Sequence, residues 1–286
     1  MNKKKIVKRL AFILIIGLLV FGIYQELTIN SVKRVELDSQ NRVFSNTPDT
    51  FDNATIVFFS DIHYNKFMNK ERFLPFIELI SQLEPDILLF GGDLFDHPSV
   101  EFPSDDTIDE LTQLLSSLDA TLGKYAVLGN HDYESPTTNS IVVSVLENSG
   151  FNILVNETLK VYNQQNEYIY IAGIDSQLLG NPDIDLTFEN HVKDSLTIAL
   201  SHTPDIIDQL DATMIDWQLS GHSHGGQISL PLIGPLYKVP YAEKYPTSHE
   251  NINNIKLDVS NGIGTTRLDM RLFANPQIHY YTLKYE

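Results

Sequence analysis

The sequence predicts an α/β protein, with a buried sheet flanked by helices, carried behind one N-terminal transmembrane helix. Three observations predict it. From Ala54 onward, short β-branched and aromatic runs alternate with segments of helical apolar spacing. Five of those runs end directly in clusters of Asp, Asn and His. An unbroken apolar stretch of fifteen residues, Leu10 to Tyr24, stands behind Lys3, Lys4, Lys5, Lys8 and Arg9.

The N-terminal stretch reads as a signal anchor over residues 1–30. The residues after the apolar run, Gln25-Glu26-Leu27-Thr28-Ile29, offer no small-x-small cleavage site, so the anchor is expected to stay uncleaved. The flanking cations place the N-terminal tip in the cytoplasm and the body outside, in a single-pass cell-membrane topology. Residues 31–52 read as a tether with a first strand at Val32 to Leu37, and residues 53–286 as one domain.

Within that domain Thr55 to Phe59 is a strand and Glu71 to Leu83 a helix, with Phe73, Leu74, Ile77, Ile80 and Leu83 on one face. A strand at Asp86 to Phe90, a helix at Ile108 to Leu118, a strand at Tyr125 to Leu128 and a helix at Ser140 to Asn148 continue the alternation. Strands are then predicted at Asn152 to Val155, Leu159 to Tyr162, Tyr168 to Gly173, Thr197 to Ser201 and Asp216 to Ser220. Helices are expected between them near Glu189 to Lys193 and Pro204 to Leu210, and two more strands, Leu257 to Ser260 and Ile278 to Lys284, near the end.

Composition narrows the function. Beyond the first nine residues the chain carries 15 Lys and Arg against 37 Asp and Glu, a balance of −22. Such a body repels phosphate backbones, which argues against nucleic acid as a partner. The chain has no cysteine, so disulfides, thiolate ligands and a thiol nucleophile are excluded.

The strand-end clusters carry the chemistry. They are Ser60-Asp61-Ile62-His63, Gly91-Gly92-Asp93-Leu94-Phe95-Asp96, Gly129-Asn130-His131-Asp132, Ser201-His202 and Gly221-His222-Ser223-His224. Sites in open α/β sheets form at the carboxyl ends of strands. Each cluster alone is an ordinary turn more often than a ligand pair. The His222-x-His224 spacing is better, because alternation in an extended chain turns both rings to one side. Five such clusters in order, each at a strand end, point to one metal site.

Asp61-x-His63, Gly92-Asp93-x-x-Asp96, Gly129-Asn130-His131-Asp132, His202 and Gly221-His222-x-His224 together resemble the signature of the calcineurin-like metallophosphoesterases. Gly225-Gly226-Gln227-Ile228, Gly234-Pro235 and the tail from Ser260 to Phe273 are similar to the membrane-anchored bacterial phosphodiesterase branch of that superfamily. The resemblance implies a four-layer α/β/β/α sandwich with two divalent ions, of Mn, Fe, Zn or Co character. It implies that Asp93 bridges them, that Asp61, His63 and His224 complete one sphere, and that Asn130, His202 and His222 complete the other. His131 is then the catalytic group, with Asp96 placed to orient it. The implied activity is hydrolysis of a phosphodiester, phosphomonoester or pyrophosphate by a metal-activated water. Lipid-linked substrates such as a UDP-linked diacylglucosamine occur in this branch. A non-catalytic metal-binding scaffold at the membrane is the competing reading, weakened by the complete ligand set.

Arg267 and Arg271 suit phosphate binding by their fork geometry, with surface ion pairing as the alternative. Tyr237, Tyr241 and Tyr245 either line an apolar groove or pack a loop. His97, His191, His249 and His279 fall outside the pattern and read as surface or packing residues, and Trp217 as core.

Overall fold

The computed structural model describes residues 3–285. Two six-stranded mixed sheets pack face to face. The first runs in the order Glu36–Val43, Gln277–Lys284, Thr55–Phe59, Ile87–Phe90, Gly123–Ala126, Phe151–Ile153. The second runs His249–Ile252, Ile255–Val259, Trp217–Ser220, Thr197–Ser201, Tyr168–Ile174, Glu157–Tyr162. The central strands of each sheet are parallel, so their carboxyl ends lie along one edge.

The period of two decides which face each residue serves. Ile56, Phe58, Ile87 and Leu89 point between the sheets, where they meet Ile169, Ile171, Ile198, Leu200 and Trp217. Val57, Phe59, Leu88 and Phe90 point outward, onto the helices Lys70–Leu83, Asp105–Ser116 and Pro136–Asn148. The first of these helices starts at Asn69, whose side chain accepts from the Arg72 N–H, and stops where Glu84 turns left-handed at φ 44°. It buries Phe73, Phe76, Ile77 and Ile80. The far face of the second sheet is covered by short helices only, Ile184–Thr187 and the 3₁₀ segment Pro204–Gln209, with Tyr245 beside them. The fourth layer of the expected sandwich is therefore thin.

At the inner edge of the core Asp258 accepts from Arg42 Nη2 (2.8 Å), Arg42 Nε (3.2 Å) and Trp217 Nε1 (2.8 Å). Arg42 also lies 4.8 Å from the Tyr281 ring centroid. Trp217 is fully buried, as the sequence suggests.

Four elements differ from the sequence reading. The first strand is Glu36–Val43, not Val32 to Leu37, and Val32 sits in a helical turn. It is an edge strand whose register is set by pairing with Gln277–Lys284, and its polar residues carry no apolar run. No helix forms at Glu189 to Lys193. One helical turn stands earlier, at Ile184–Thr187, started by the Asp183 side chain accepting from the Leu186 N–H. The strand His249–Ile252 and a two-residue ladder, Ser229–Leu230 with Gly234–Pro235, have no counterpart in the sequence reading.

The helix Lys3–Gln25 stands apart from the body. Its stretch Lys8–Thr28 has a mean hydropathy of 2.2 and none of it is buried, long and apolar enough to cross a membrane. A π-turn, Glu26–Asn30, leads into the body.

Candidate metal centre

The five clusters come together at the shared edge of the sheets. Asp61 and His63 follow Thr55–Phe59, Asp93 follows Ile87–Phe90, and Asn130 and His131 follow the strand that begins at Gly123. His202 follows Thr197–Ser201, and His222 and His224 follow Trp217–Ser220. Asp61, His63, Asp93, His222 and His224 all have φ between 48° and 66°, a region costly for residues with a Cβ. Strain of this kind persists only where surrounding structure holds it, and it gathers at functional sites.

Glycines admit the crowding. A Cβ on Gly221 would stand 2.4 Å from Asp61 Oδ2, and one on Gly129 would stand 2.2 Å from Asp93 Oδ1. Beneath these turns lies Asp132, fully buried, whose carboxylate accepts from the N–H groups of Asp93, Leu94 and Gly129 at 2.8–2.9 Å.

Two groups of donors result. Asp61, His63 and His224 form one, and Asp93, His202 and His222 the other. His222 and His224 therefore do not turn to one side of an extended chain. Both take left-handed backbone, which sends their rings to separate groups. Asp93 stands between. Its Oδ1 accepts the His131 N–H (2.8 Å), and its Oδ2 lies 3.2 Å from His202 Nε2 and 3.7 Å from His63 Nε2. Asn130 lines the same cavity, and its buried Oδ1 has no hydrogen-bond partner.

The arrangement calls for a cation. His202 Nδ1 donates to the Gly91 carbonyl (2.7 Å) and His222 Nε2 to the Pro240 carbonyl (2.8 Å). In the neutral rings this leaves two bare nitrogens, His202 Nε2 and His222 Nδ1, facing each other at 3.1 Å. His63 Nε2 and His224 Nε2 approach to 3.0 Å. Burial pushes His63 and His224 well below the usual imidazole range, against a charged ring. Burial also opposes charge on His202, yet Asp93 and Asp61 lift it to about 9. Buried carboxylates, imidazole nitrogens that face one another and an orphaned amide oxygen together suit divalent metal, which would take the place of the proton that Asp93 and Asp61 draw to His202.

His131 is oriented by Glu134, not Asp96. Its Nδ1 bonds Glu134 Oε1, and Glu134 also accepts from the Ser99 N–H (2.9 Å). Burial would lower the pKa of His131, but Asp93 and Glu134 outweigh it and raise it. Burial would raise Glu134, but its bonds to His131 and Ser99 hold it at about 2. Asp96 instead accepts from Thr266 Oγ1 (3.1 Å) and lies 3.6 Å from His63 Nδ1.

A cavity of about 260 Å³ opens over the centre. Its polar floor includes Asp93, Asn130, His131, His222 and His224, and its apolar wall includes Leu178, Tyr237, Val239 and Pro240. His97 lines it too, with its ring 4.2 Å from His131, so it is not a mere surface residue. The Gly129-to-Glu134 and Asp93-to-His97 spacings are the available signals for Glu134 and His97. Of the two arginines, Arg267 lines the cavity. Arg271 does not bind substrate: it is fully buried and donates to the carbonyls of Asn261, Gly262, Gly264, His224 and Ala274. Burial lowers it to about 9, which leaves it charged at neutral pH. Tyr237 reaches the cavity, whereas Tyr245 packs in the core of the second sheet.

Comparison with known proteins agrees with this geometry. Residues 54–226 match the model of the calcineurin-like phosphoesterase family. The chain is 34% identical over 237 residues to the metallophosphoesterase YkuE of Bacillus subtilis, covering 83% of this chain and 81% of that protein. It is 27% identical to the phosphodiesterase YaeI of Escherichia coli, covering 79% and 82%. It is 30% identical to the UDP-2,3-diacylglucosamine pyrophosphatase LpxG of Chlamydia trachomatis, covering 62% and 65%. With the family model spanning well over half of the chain, and YkuE matched over most of it, this protein belongs to the calcineurin-like phosphoesterases, a family of metal-using hydrolases of phosphoesters.

Proposed function

We propose that the chain is a binuclear phosphoesterase of the cell envelope, acting on a phosphodiester or pyrophosphate that includes lipid-linked substrates. The observation that carries this reading is the set of buried, mutually facing carboxylate, imidazole and amide donors around Asp93, walled on one side by apolar residues. Asp61, His63 and His224 would hold one divalent ion, and Asn130, His202 and His222 the other, with Asp93 between them available to both. When bound, the ions supply Lewis acidity toward phosphoryl oxygens and a more acidic water. The protein's own contribution is positional and electrostatic. His131, whose pKa Asp93 and Glu134 raise, stands where it can donate to the leaving oxygen or offset charge on the phosphoryl group. Arg267 at the rim suits a second phosphate or acidic headgroup. Leu178, Tyr237, Val239 and Pro240 suit an apolar portion of the substrate and keep bulk water from the polar floor.

Similarity to LpxG, whose name describes a lipid-linked pyrophosphate substrate, supports the lipid-linked class. The apolar N-terminal helix supports a location at the membrane. The cation-rich tip favours a body outside the cytoplasm. Protease added to intact cells should then remove the body, and protection of both the body and a cytoplasmic control would reverse the topology.

The deciding experiment combines metal analysis with paired substrates. Asp93→Ala should lose metal and activity together. His131→Ala should keep two ions per chain and lose on the order of 10²–10⁴-fold in turnover, less on nitrophenyl esters, whose leaving group needs little protonation. Loss of metal in His131→Ala would make it a ligand. Equal slowing on good and poor leaving groups would assign it to the phosphoryl oxygens instead.

A further inference from the structure

We infer that the hairpin around Ser229–Leu230 and Gly234–Pro235, together with the loop ending at Phe273, is a second membrane contact that seats the body on the bilayer beside its anchor. Three segments are joined here by backbone hydrogen bonds. The Leu27 carbonyl, in the last turn of the membrane-crossing stretch Lys8–Thr28, accepts from the Arg271 N–H at 2.9 Å. The next residue, Leu272, exchanges bonds with the hairpin base, giving from its N–H to Gln227 O (2.8 Å) and accepting from the Ser229 N–H (2.9 Å). Ile228 O in turn accepts from the Leu236 N–H at 2.9 Å. Where the helix leaves the membrane is therefore where the hairpin stands.

The side chains on these segments are the wrong ones for water. Leu232 is fully exposed and Ile233 is 73% exposed, and Leu236, Leu268 and Phe273 are exposed as well. The hairpin tip, Pro231-Leu232-Ile233, holds Leu232 at φ 70°, a position that glycine or asparagine fills at lower cost. A strained tip that presents leucine and isoleucine has a use if the tip is buried by something else.

Charge selects a bilayer as that occupant. The protein carries −17 overall, yet each of the three segments has more basic than acidic residues. Residues 26–35 have Lys33 and Arg34 against Glu26, residues 227–245 have Lys238 and Lys244 against Glu243, and residues 264–273 have Arg267 against Asp269 at the surface, Arg271 being buried. Lys33, Arg34, Lys238 and Arg267 are exposed. Apolar tips among cations, beside a helix exit, match the headgroup zone of an anionic membrane. A second acidic body would be repelled overall. Because the cavity rim includes Gln227, Tyr237 and Arg267 from the same segments, seating the hairpin brings that rim to the membrane surface.

The chain contains no cysteine, so a single label can be placed in the full-length protein. Ile233→Cys carries an environment-sensitive fluorophore in nanodiscs of phosphatidylglycerol and phosphatidylcholine. The control is Val192→Cys, 64% exposed and close before the start of strand Thr197–Ser201, away from the strand ends that bear the site. The label at 233 should be quenched by a lipid-borne quencher and be about fivefold or more less accessible to iodide than the label at 192, as for a side chain some 5–10 Å into the headgroup boundary. Equal iodide access at the two positions overturns the inference. So does shielding at 233 that appears only with two protein copies per disc, which would assign the tip to a second copy. Neither outcome depends on catalysis, so the proposed activity is tested separately.

Discussion

Replacing Gly129 with alanine perturbs the metal centre without removing a donor atom. The backbone of Gly129 is not left-handed, so alanine is acceptable there by conformation. Its Cβ, however, would lie 2.2 Å from Asp93 Oδ1, 2.6 Å from Asp93 N and 2.7 Å from Asp93 Cγ, where ordinary contact begins at 3.4 Å. Something must give by about 1.2 Å. The backbones on both sides are pinned by the same Asp132 oxygen, which accepts from Gly129 N at 2.8 Å and from Asp93 N at 2.9 Å. Turning the Asp93 carboxylate away relieves only the side-chain clash; the 2.6 Å approach to Asp93 N forces the pinned backbone to shift as well, and both movements displace Asp93. Metal ligands tolerate displacements of about 0.2 Å, several times less than this. Gly129→Ala should weaken metal binding by at least about 10²-fold, more than loss of an outer hydrogen bond usually costs, and turnover should fall with it. Stability should drop by about 1–3 kcal/mol from overpacking alone. Metal titration of the stripped protein, followed by activity and by elemental analysis, reads the effect. Two ions per chain at unchanged affinity would refute the role of Asp93 in holding them.

Contacts around the site and the core give three further expected outcomes. Glu134→Gln removes one of the two charges, beside Asp93, that raise the pKa of His131, so the alkaline limb of the pH–rate profile on a poor leaving group should move down, with metal content unchanged. Asp258→Ala leaves the Arg42 guanidinium buried without a carboxylate and should cost about 3–5 kcal/mol in urea unfolding, while Arg42→Met with Asp258→Leu should recover much of that loss. Arg271→Met leaves the carbonyls of Asn261, Gly264 and Ala274 without their donor and should cost about 3 kcal/mol or more, whereas a substrate role would raise KM in a protein of unchanged stability.

The donor residues are legible in the sequence because each stands after an apolar run long enough to read as a strand, and a strand end is a fixed place in this architecture. Their surroundings are less so. Glu134 stands three residues after His131 in the same turn and His97 comes from another loop, and neither spacing is distinctive enough in sequence to mark the meeting. Asp96 is close to Asp93 in sequence, but its side chain turns toward Thr266 and His63. Arg271 looks in sequence like any surface arginine beside apolar residues. Only the closure of the C-terminal segment over the His224 turn shows that backbone carbonyls, not phosphate, take up its charge. Glu36–Val43 escapes a reading by apolar pattern because an edge strand is chosen by its partner's free hydrogen bonds rather than by its own side chains. The separation of His222 from His224 comes from left-handed backbone, which spacing alone does not reveal.

The strand Gln277–Lys284 lies between Glu36–Val43 and Thr55–Phe59, so the last strand in chain order completes the neighbourhood of the first ligands. The Ile263 and Gly264 N–H groups likewise bond the carbonyls of Ser60 and Asp61 only after more than two hundred intervening residues have been made. Vectorial synthesis therefore delivers Asp61 and His63 early but cannot fix their turn until the C-terminal segment arrives. The turn that carries Asp61 and His63 is thus completed last, once the C-terminal segment has folded back onto it. A ribosome stalled short of Gln277 leaves Thr55–Phe59 as a raw edge, open to wrong pairing, and a substrate for quality-control proteolysis.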